Sequence, residues 1–258
     1  MKKVGHTGTL DPEAAGVLLI CVGRGTKASD MLINCDKQYR AVMQLGITTD
    51  TQDATGVVLK ERAICCTNAQ IVAVVRNFIG DLQQIPPMYS AIKMQGKKLY
   101  ELARKGIEIE RQPRKIHIRN ISVEQIDGDL ITLTVDCSKG TYIRTLCNDI
   151  GEALGCGGIM KSLVRTRVGD FRIEDAITLA QLEQDGVRDA LVPLQVIFGA
   201  YEAVVLTKEQ ESKVRDGVRI NMNVSDGTYR VLSSDGDLLC ISEAQAGVLK
   251  MLKAFYGG

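Results

Sequence analysis

Three features of this sequence predict an α+β fold. It has a largely antiparallel mixed sheet flanked by helices, and a small C-terminal β domain. Two strand-like runs, 114–126 and Leu130–Cys137, flank Asp127-Gly128-Asp129, and Asp-Gly between alternating apolar runs is a strong hairpin signal. Segments with helical periodicity are interleaved with the strands. Beyond residue 201, further Asp-Gly pairs separate short apolar runs, which is typical of a small barrel or sandwich. The predicted domains are 1–200 and 201–258.

The first part of the chain is predicted to form a loop at 5–12, a short helix at 26–32 and a strand at Lys37–Leu45, where apolar residues alternate. A polar loop at 48–56 precedes a strand at 57–59. Thr67, with Gln70 three residues later, forms a capping box that begins a helix ending before Gly80.

The remaining elements are predicted from similar signals. A helix over 97–105 ends at Gly106, in the position that glycine favours after a helix. Thr141 is the predicted N-cap of a helix that stops at Gly155, and 159–168 has strand character.

The composition of the 258 residues fits one large domain and a small one. A hydrophobic content of 45% and a mean hydropathy of +0.01 indicate a globular chain. The sequence contains no run of about 18 apolar residues and therefore predicts no membrane span. The amino end lacks a signal-peptide pattern. We therefore expect a cytoplasmic protein.

The eight cysteines do not predict a metal site, because no C-x-x-C pair occurs and the chain has only two histidines. Four of them, Cys21, Cys137, Cys147 and Cys240, lie in apolar or strand-like runs, where free cysteines act as small core residues. We expect reduced thiols and no bound metal.

Basic residues are concentrated in one segment although the net charge is only +1. Such a segment could follow a phosphate backbone, or it could be a solvated surface with charged neighbours. It contains nine basic residues against three acidic ones: Lys93, Lys97, Lys98, Arg104, Lys105, Arg111, Arg114, Lys115 and Arg119 against Glu101, Glu108 and Glu110.

The most informative stretch is the loop Gly5-His6-Thr7-Gly8-Thr9-Leu10-Asp11-Pro12, which precedes the apolar run Val17-Leu18-Leu19-Ile20-Cys21-Val22. Pro12 biases Asp11 towards an extended conformation. A carboxylate on a loop beside a core strand is a candidate catalytic group. Asp-Pro is also a common turn initiator, so the residues alone leave a structural role open.

This loop closely resembles the catalytic motif of the TruB family of tRNA pseudouridine synthases, in which the aspartate at the position of Asp11 is essential. The resemblance extends over nearly the whole chain, and the carboxyl-terminal segment is similar to the PUA-type RNA-binding module. Further matching strings follow in the same order: Lys37-Gln38-Tyr39-Arg40, the loop 48–56, Pro86-Pro87-Met88-Tyr89-Ser90-Ala91, Ser138-Lys139-Gly140-Thr141-Tyr142-Ile143-Arg144, and Leu163 with Arg165.

The resemblance implies a pseudouridine synthase fold and the isomerisation of a uridine in the T-arm loop of tRNA, at tRNA position 55. The N1–C1′ bond breaks, the base turns, and C5 joins C1′. No electrons are exchanged, so no cofactor is expected. The implied partner is tRNA, and we expect a monomer.

The resemblance also assigns residues. Asp11 is implied as the nucleophile or as the base of a glycal route, and Arg144 as its partner, which would lower the pKa of the carboxyl. Tyr39 would stack on the extruded base, and Tyr142 would assist removal of the C5 proton. The implied substrate-binding and RNA-binding residues are His6, Lys27, Asp53, Leu163 and Arg165. Residue statistics alone make Tyr39 and Leu163 core residues.

The sequence departs from the family pattern at its amino end, where the usual Lys-Pro-x-Gly-x-Thr-Ser segment does not precede the loop. We expect its loss to expose a sheet edge. Three hypotheses follow: an active tRNA pseudouridine synthase, a truncated and catalytically impaired tRNA-binding or RNA-folding protein, and a synthase subunit directed by a guide RNA.

Overall fold

The computed structural model describes residues 3–94, 96–188 and 190–256. The α-helices within these ranges are α1 Ser29–Leu32, α2 Asn68–Arg76, α3 Leu99–Ala103, α4 Ile143–Ala153, α5 Leu179–Asp185, α6 Leu194–Ile197 and α7 Lys208–Arg215, and 3-10 helices lie at Gly23–Ala28 and Ile173–Asp175. No helix in the described part of the chain is long and apolar enough to cross a membrane.

The strands of the described ranges have seven residues or fewer, apart from five. They are β1 Val4–His6, β2 Ala14–Gly16, β3 Ile20–Val22, β4 Lys37–Leu45, β5 Ile47–Thr49, β6 Val58–Glu61, β7 Gly80–Gln84, β8 Lys93–Met94, β9 Lys97–Lys98, β10 Arg114–Asp127, β11 Leu130–Cys137, β12 Gly158–Val168, β13 Phe171–Arg172, β14 Glu202–Val205, β15 Ile220–Asn221, β16 Gly227–Leu232, β17 Leu238–Gln245 and β18 Val248–Ala254.

The chain folds into two compact units that interleave along the sequence. The sheet unit consists of Thr9–Leu18 and Asn34–Ala176. The terminal unit consists of the described parts of Met1–Gly8, Leu19–Ile33 and Ile177–Gly258. The predicted boundary between a catalytic domain of residues 1–200 and an RNA-binding domain of residues 201–258 stays a prediction.

The sheet unit is built on a seven-stranded sheet in the order β13-β12-β4-β11-β10-β7, with β2 added beside β12. Every pair is antiparallel except β2 with β12. The predicted α+β fold with a mainly antiparallel mixed sheet is confirmed, as is the hairpin between β10 and β11 at Asp127–Leu130.

One face of this sheet forms the core of the unit. Along β4, Ala41, Met43 and Leu45 are buried, while Arg40, which precedes them, is exposed and pairs with Glu124. Helices α2 and α4 contribute buried apolar residues to the same core. The alternation therefore fixes which face of β4 meets the helices.

Helix α4 approaches β12 closely because two glycines meet there. A Cβ atom on Gly151 would lie 2.1 Å from the backbone nitrogen of Gly158, a distance that the backbone cannot accommodate without moving. This contact positions the helix that carries Arg144 against the strand that carries Leu163.

Gly151→Ala is therefore expected to lower the free energy of unfolding by about 2 kcal/mol, since overpacking exceeds the helix propensity gained, about 1 kcal/mol. Urea denaturation measures the change. Gly25→Ala is the control, because a Cβ atom there meets nothing within 4 Å. Equal stability of the Gly151 variant and the wild type would contradict close helix–strand packing.

The terminal unit contains a second sheet, in the order β14-β16-β17-β18-β15, with a separate apolar core. Its predicted strands, around Tyr229–Leu232 and Leu238–Ile241, are confirmed within β16 and β17. The antiparallel pair β1 and β3 also belongs to this unit.

Three predicted element boundaries are wrong. The helix at 97–105 is only Leu99–Ala103, because Lys97 and Lys98 pair with Met94 and Lys93 as β9 and β8. The N-cap of α4 is Tyr142, because the Thr141 hydroxyl donates to the Ser138 carbonyl instead of capping the helix. The short helix predicted at 26–32 begins earlier, as a 3-10 turn at Gly23–Ala28 that continues into α1.

Candidate active site

Asp11 is fixed to the sheet by the turn that leads into β2. The Asp11 carbonyl accepts a hydrogen bond from the Ala14 amide at 2.9 Å, and β2 then runs parallel to residues Leu163–Arg165 of β12. Gly16 has φ +109°, and a Cβ atom there would lie 2.2 Å from the Arg165 carbonyl oxygen. Only glycine allows this approach, so the loop is held close to β12.

The Asp11 carboxylate forms a two-point ion pair with Arg144. Arg144 Nε lies 2.9 Å from Asp11 Oδ2, and Arg144 Nη2 lies 3.2 Å from Asp11 Oδ1. The Arg144 side chain is 5% exposed and the Asp11 side chain is 40% exposed. The guanidinium is therefore enclosed by protein, whereas part of the carboxylate is open to an incoming substrate.

All five donor positions of the Arg144 guanidinium have acceptors. Besides Asp11, Nη1 donates to the Thr51 carbonyl at 3.2 Å and to Asp53 Oδ2 at 3.3 Å, and Nη2 donates to the Tyr89 carbonyl at 2.8 Å. A planar group with five donors and five acceptors has one orientation, so the position of the Asp11 carboxylate is fixed through it.

Asp53 is held by its own loop. Its Oδ1 accepts from the Thr51 hydroxyl, the Thr55 amide and the Thr55 hydroxyl at 2.6–3.0 Å. The loop is attached to β12, because the Met160 amide donates to the Gln52 carbonyl and the Ala54 amide donates to the Met160 carbonyl. Asp53 thus supports Arg144, and its predicted contact with substrate or RNA stays a prediction.

The pKa of Asp11 is raised from its ordinary value, which corrects the expected lowering. Burial is the largest cause, and it outweighs the attraction of Arg144, which lowers the pKa, while the charge of Asp53 raises it further. The sequence predicted the partner correctly but gave no measure of the burial. The carboxyl thus loses its charge at a higher pH than an ordinary aspartate.

This shift predicts the pH dependence of any reaction that needs the Asp11 carboxylate. The rate is expected to rise with pH as Asp11 ionises, with an acid midpoint above the ordinary aspartate range. Single-turnover rates on an RNA substrate between about pH 4 and pH 8 give this midpoint. A midpoint below the ordinary range would mean that the Arg144 charge dominates.

Tyr39, Leu163 and Arg165 lie on adjacent strands beside the Asp11 loop. Tyr39 on β4 is opposite Arg165 on β12, and Leu163 is flanked by Ala14 of β2 and Ala41 of β4. Leu163 is buried in the core and Tyr39 packs against it. The Arg165 guanidinium is also buried, and its Nε donates to the Val17 carbonyl at 2.7 Å. Their predicted contacts with substrate or RNA stay predictions.

Tyr142 immediately precedes α4, two residues before Arg144. Burial raises the pKa of the Tyr142 and Tyr39 phenols, and the Asp11 charge contributes to both shifts. Both side chains are therefore neutral phenols near neutral pH, and both lie within electrostatic range of Asp11.

His6 and Lys27 belong to the terminal unit. The exposed His6 ring accepts a hydrogen bond from the Gly8 amide through Nδ1, and Lys27 Nζ donates to the Tyr256 carbonyl at 3.0 Å. Their predicted contacts with RNA stay predictions.

Sequence reasoning missed the uncharged groups around Arg144. The Thr51 and Tyr89 carbonyls are backbone acceptors, and no side-chain pattern marks a backbone acceptor. The Gln84 side chain, which contacts Tyr142, was also missed. The string Pro86-Pro87-Met88-Tyr89-Ser90 matched the family pattern, but the sequence assigned it no role at the site.

Two family models match the sequence. Residues 1–143 match the TruB family pseudouridylate synthase N-terminal domain, and residues 144–197 match the tRNA pseudouridylate synthase B C-terminal domain. The chain is 49% identical over 224 residues to a tRNA pseudouridine synthase B of Alkaliphilus oremlandii, covering 86% of this chain and 75% of that protein. It is 43% identical over 260 residues to that of Clostridium kluyveri, covering 98% and 90%.

Solved structures with the same fold include a Cbf5-Nop10-Gar1 complex, with a TM-score of 0.72 and 25% identity over 99% of this chain and 77% of that one. An H/ACA RNP bound to a substrate RNA containing 2′-deoxyuridine gives a TM-score of 0.71 at 22% identity, over 100% and 77% of the two chains. These similarities support the pseudouridine synthase fold.

Proposed function

Since the chain belongs to the TruB family of pseudouridylate synthases, we propose that it isomerises the uridine at position 55, in the T-arm loop of tRNA, to pseudouridine. The observation that carries this proposal is the Asp11 carboxylate, partly open to solvent and held at both oxygens by a buried guanidinium. The reaction needs one fixed, ionised carboxylate, and this pair supplies it.

Asp11 acts on the sugar of a uridine that has left its base stack, because a stacked base hides C1′. The ionised carboxylate either attacks C1′ or removes a proton from C2′, and either step breaks the N1–C1′ bond. The base then turns and C5 bonds to C1′. On the first route this step breaks the Asp11–C1′ bond, and on the second the Asp11 carboxyl returns its proton to C2′. The C5 proton leaves and N1 gains a proton. Substrate and product are isomers, so the reaction consumes no co-reactant.

Tyr39 and Tyr142 have separate roles in this proposal. Tyr39 stacks on the extruded uracil, and Leu163 supplies an apolar wall beside it. Tyr142 assists removal of the C5 proton. Its raised pKa disfavours the phenolate, so the side chain acts as a neutral phenol that relays the proton. His6, Lys27 and Arg165 complete the proposed substrate-binding set.

The RNA is contacted, we propose, by the basic segment of the sheet unit. Lys93, Lys97, Arg104, Lys105 and Lys115 are exposed there. Arg111 and Arg119 pair with Glu108 and Asp36, so they are less available to phosphates. Affinity is expected to fall as the salt concentration rises, because bound phosphates release counterions. Residues 201–258, with their own sheet and core, are proposed as a PUA-like RNA-binding domain.

The experiment that tests the proposal uses the purified chain and an unmodified T-arm stem-loop, with no other protein or RNA. Mass-based detection of pseudouridine at the target uridine is the expected result. RNA binding without product would instead support the non-catalytic RNA-binding hypothesis, and product only after addition of a guide RNA would support the guided hypothesis. The same sample should elute as a monomer, and tRNA as substrate implies a cytoplasmic location.

A further inference from the structure

Gln84, at the end of strand β7, makes an unusual contact with the backbone of Tyr142. Its Oε1 accepts a hydrogen bond from the Tyr142 amide at 2.8 Å, and its Nε2 donates to the Tyr142 carbonyl at 3.0 Å. The two residues are 58 positions apart in the sequence. One side-chain amide thus contacts both backbone polar groups of Tyr142, and its orientation follows from that match. The Tyr142 carbonyl also accepts from the Leu146 amide at 3.0 Å, whereas Gln84 is the partner of the Tyr142 amide.

The contact is buried and lies where the local sequence provides no cap. Gln84 is 4% exposed, and the Tyr142 side chain makes no capping hydrogen bond to α4. The first amides of a helix and the residue before them need external partners. Gln84 provides this partner for Tyr142 from another element of the sheet unit.

The position of Tyr142 bears directly on the proposed reaction. Tyr142 carries the proposed proton relay, and Arg144, which binds the Asp11 carboxylate, lies two residues later in the first turn of α4. A shift of the Tyr142 backbone therefore moves both groups, and a displacement of about 1 Å in a reacting geometry can lower a rate about 100-fold.

We infer that Gln84 is a positioning residue for the isomerisation, acting by fixing the backbone of Tyr142 and the first turn of α4. The inference rests on the proposed function. It assigns no contact between Gln84 and the RNA.

Gln84→Glu tests the inference through its pH dependence. An ionised glutamate still accepts from the Tyr142 amide but cannot donate to the Tyr142 carbonyl, and its charge faces that oxygen. A protonated glutamate can donate and accept like the original amide. Burial raises the pKa of a carboxyl at such a position, so protonation is expected within the working pH range.

Single-turnover rates of the variant and the wild type are compared at each pH on the T-arm stem-loop, so that the ionisation of Asp11 cancels in the ratio. We expect the variant to be about 10- to 100-fold slower near pH 8. We expect the deficit to shrink at least about fivefold as the pH falls to about 5.5. RNA affinity should stay close to that of the wild type.

Gln83→Glu is the matched control, because Gln83 is the adjacent exposed residue of β7 and undergoes the same chemical change. It should follow the wild type at every pH. A Gln84→Glu variant as fast as the wild type, or slow by a factor independent of pH, would overturn the inference.

Gln84→Met is the second variant, and it is used if circular dichroism shows that the glutamate variant does not fold. A folded methionine variant should be slower at all pH values, whereas wild-type activity in it would overturn the inference. If the wild type itself forms no pseudouridine, the proposed function fails, and that outcome is distinguishable from a failure confined to Gln84.

Discussion

Asp11→Asn is expected to abolish pseudouridine formation while leaving tRNA affinity within about tenfold, or about 1.4 kcal/mol. The asparagine keeps the size of the side chain and one acceptor for Arg144, but it can neither attack C1′ nor remove a proton. Loss of the reacting group should slow the reaction by at least about 1,000-fold, equivalent to about 4 kcal/mol of activation free energy.

The measurement is single-turnover pseudouridine formation, with RNA affinity determined separately. Asp127→Asn is the matched control, because Asp127 is exposed at the end of β10, next to the turn that leads into β11, and asparagine is accepted beside such a turn. Normal turnover by the Asp11 variant would remove Asp11 from the chemistry, whereas a large loss of RNA affinity would assign it mainly to binding.

The same substitution has an expected effect on stability. Because the folded state raises the pKa of Asp11, it binds the proton more tightly than the unfolded chain does. Stability attributable to this group is therefore lost as the pH rises through the ordinary aspartate pKa and towards the raised one. An asparagine resembles the protonated form, so the variant should melt no lower than the wild type near neutral pH. The active carboxylate is retained for its chemistry and not for stability.

The sequence could predict the elements of this fold because their signals are local. The alternation along Lys37–Leu45, the Asp-Gly hairpin after β10 and the Thr67 capping box each lie within a few neighbouring residues. The errors arose where the partner was distant or ambiguous. Thr141 has the right residue type for an N-cap, but the Ser138 carbonyl competes for its hydroxyl.

The active-site pair could be predicted only through the family resemblance, because Asp11 and Arg144 are 133 residues apart. The same resemblance gave no reason to expect that burial outweighs the attraction of Arg144 in setting the pKa of Asp11. That balance depends on how completely the Asp11 carboxyl is buried in the folded chain, which is a property of packing. The roles of the Thr51 and Tyr89 carbonyls could not be predicted for a related reason. Every residue carries a backbone carbonyl, so the sequence does not distinguish the ones that bind Arg144.

Arg144→Met is expected to lower both activity and stability, because it leaves the acceptor groups of four residues without their buried donor. The methionine has a similar length but no donor, so Asp11, Asp53 and two backbone carbonyls lose their partner. Removing one member of a buried ion pair costs about 3–5 kcal/mol. Because Asp11 is 40% exposed and can be partly rehydrated, we expect about 2–4 kcal/mol here.

A double-mutant cycle separates the pair from its surroundings. If the unpaired Asp11 carboxylate causes part of the loss, Arg144→Met with Asp11→Asn should be less destabilised than the sum of the single variants, by about 0.5–3 kcal/mol. Additive losses would assign the whole cost to Asp53 and the carbonyls. Arg40→Met is the control, because the Arg40–Glu124 pair is half exposed at the arginine and should contribute less than about 1 kcal/mol.

The pH profile provides an independent test of the same pair. Arg144 lowers the pKa of Asp11 against the effect of burial, so its removal should raise that pKa further. The residual rate of Arg144→Met should therefore have its acid midpoint at a higher pH than the wild type. If the midpoint stays unchanged while the rate falls, Arg144 acts on the geometry of the site alone. A shift to higher pH shows that the guanidinium also keeps the carboxylate ionised at the pH where it reacts.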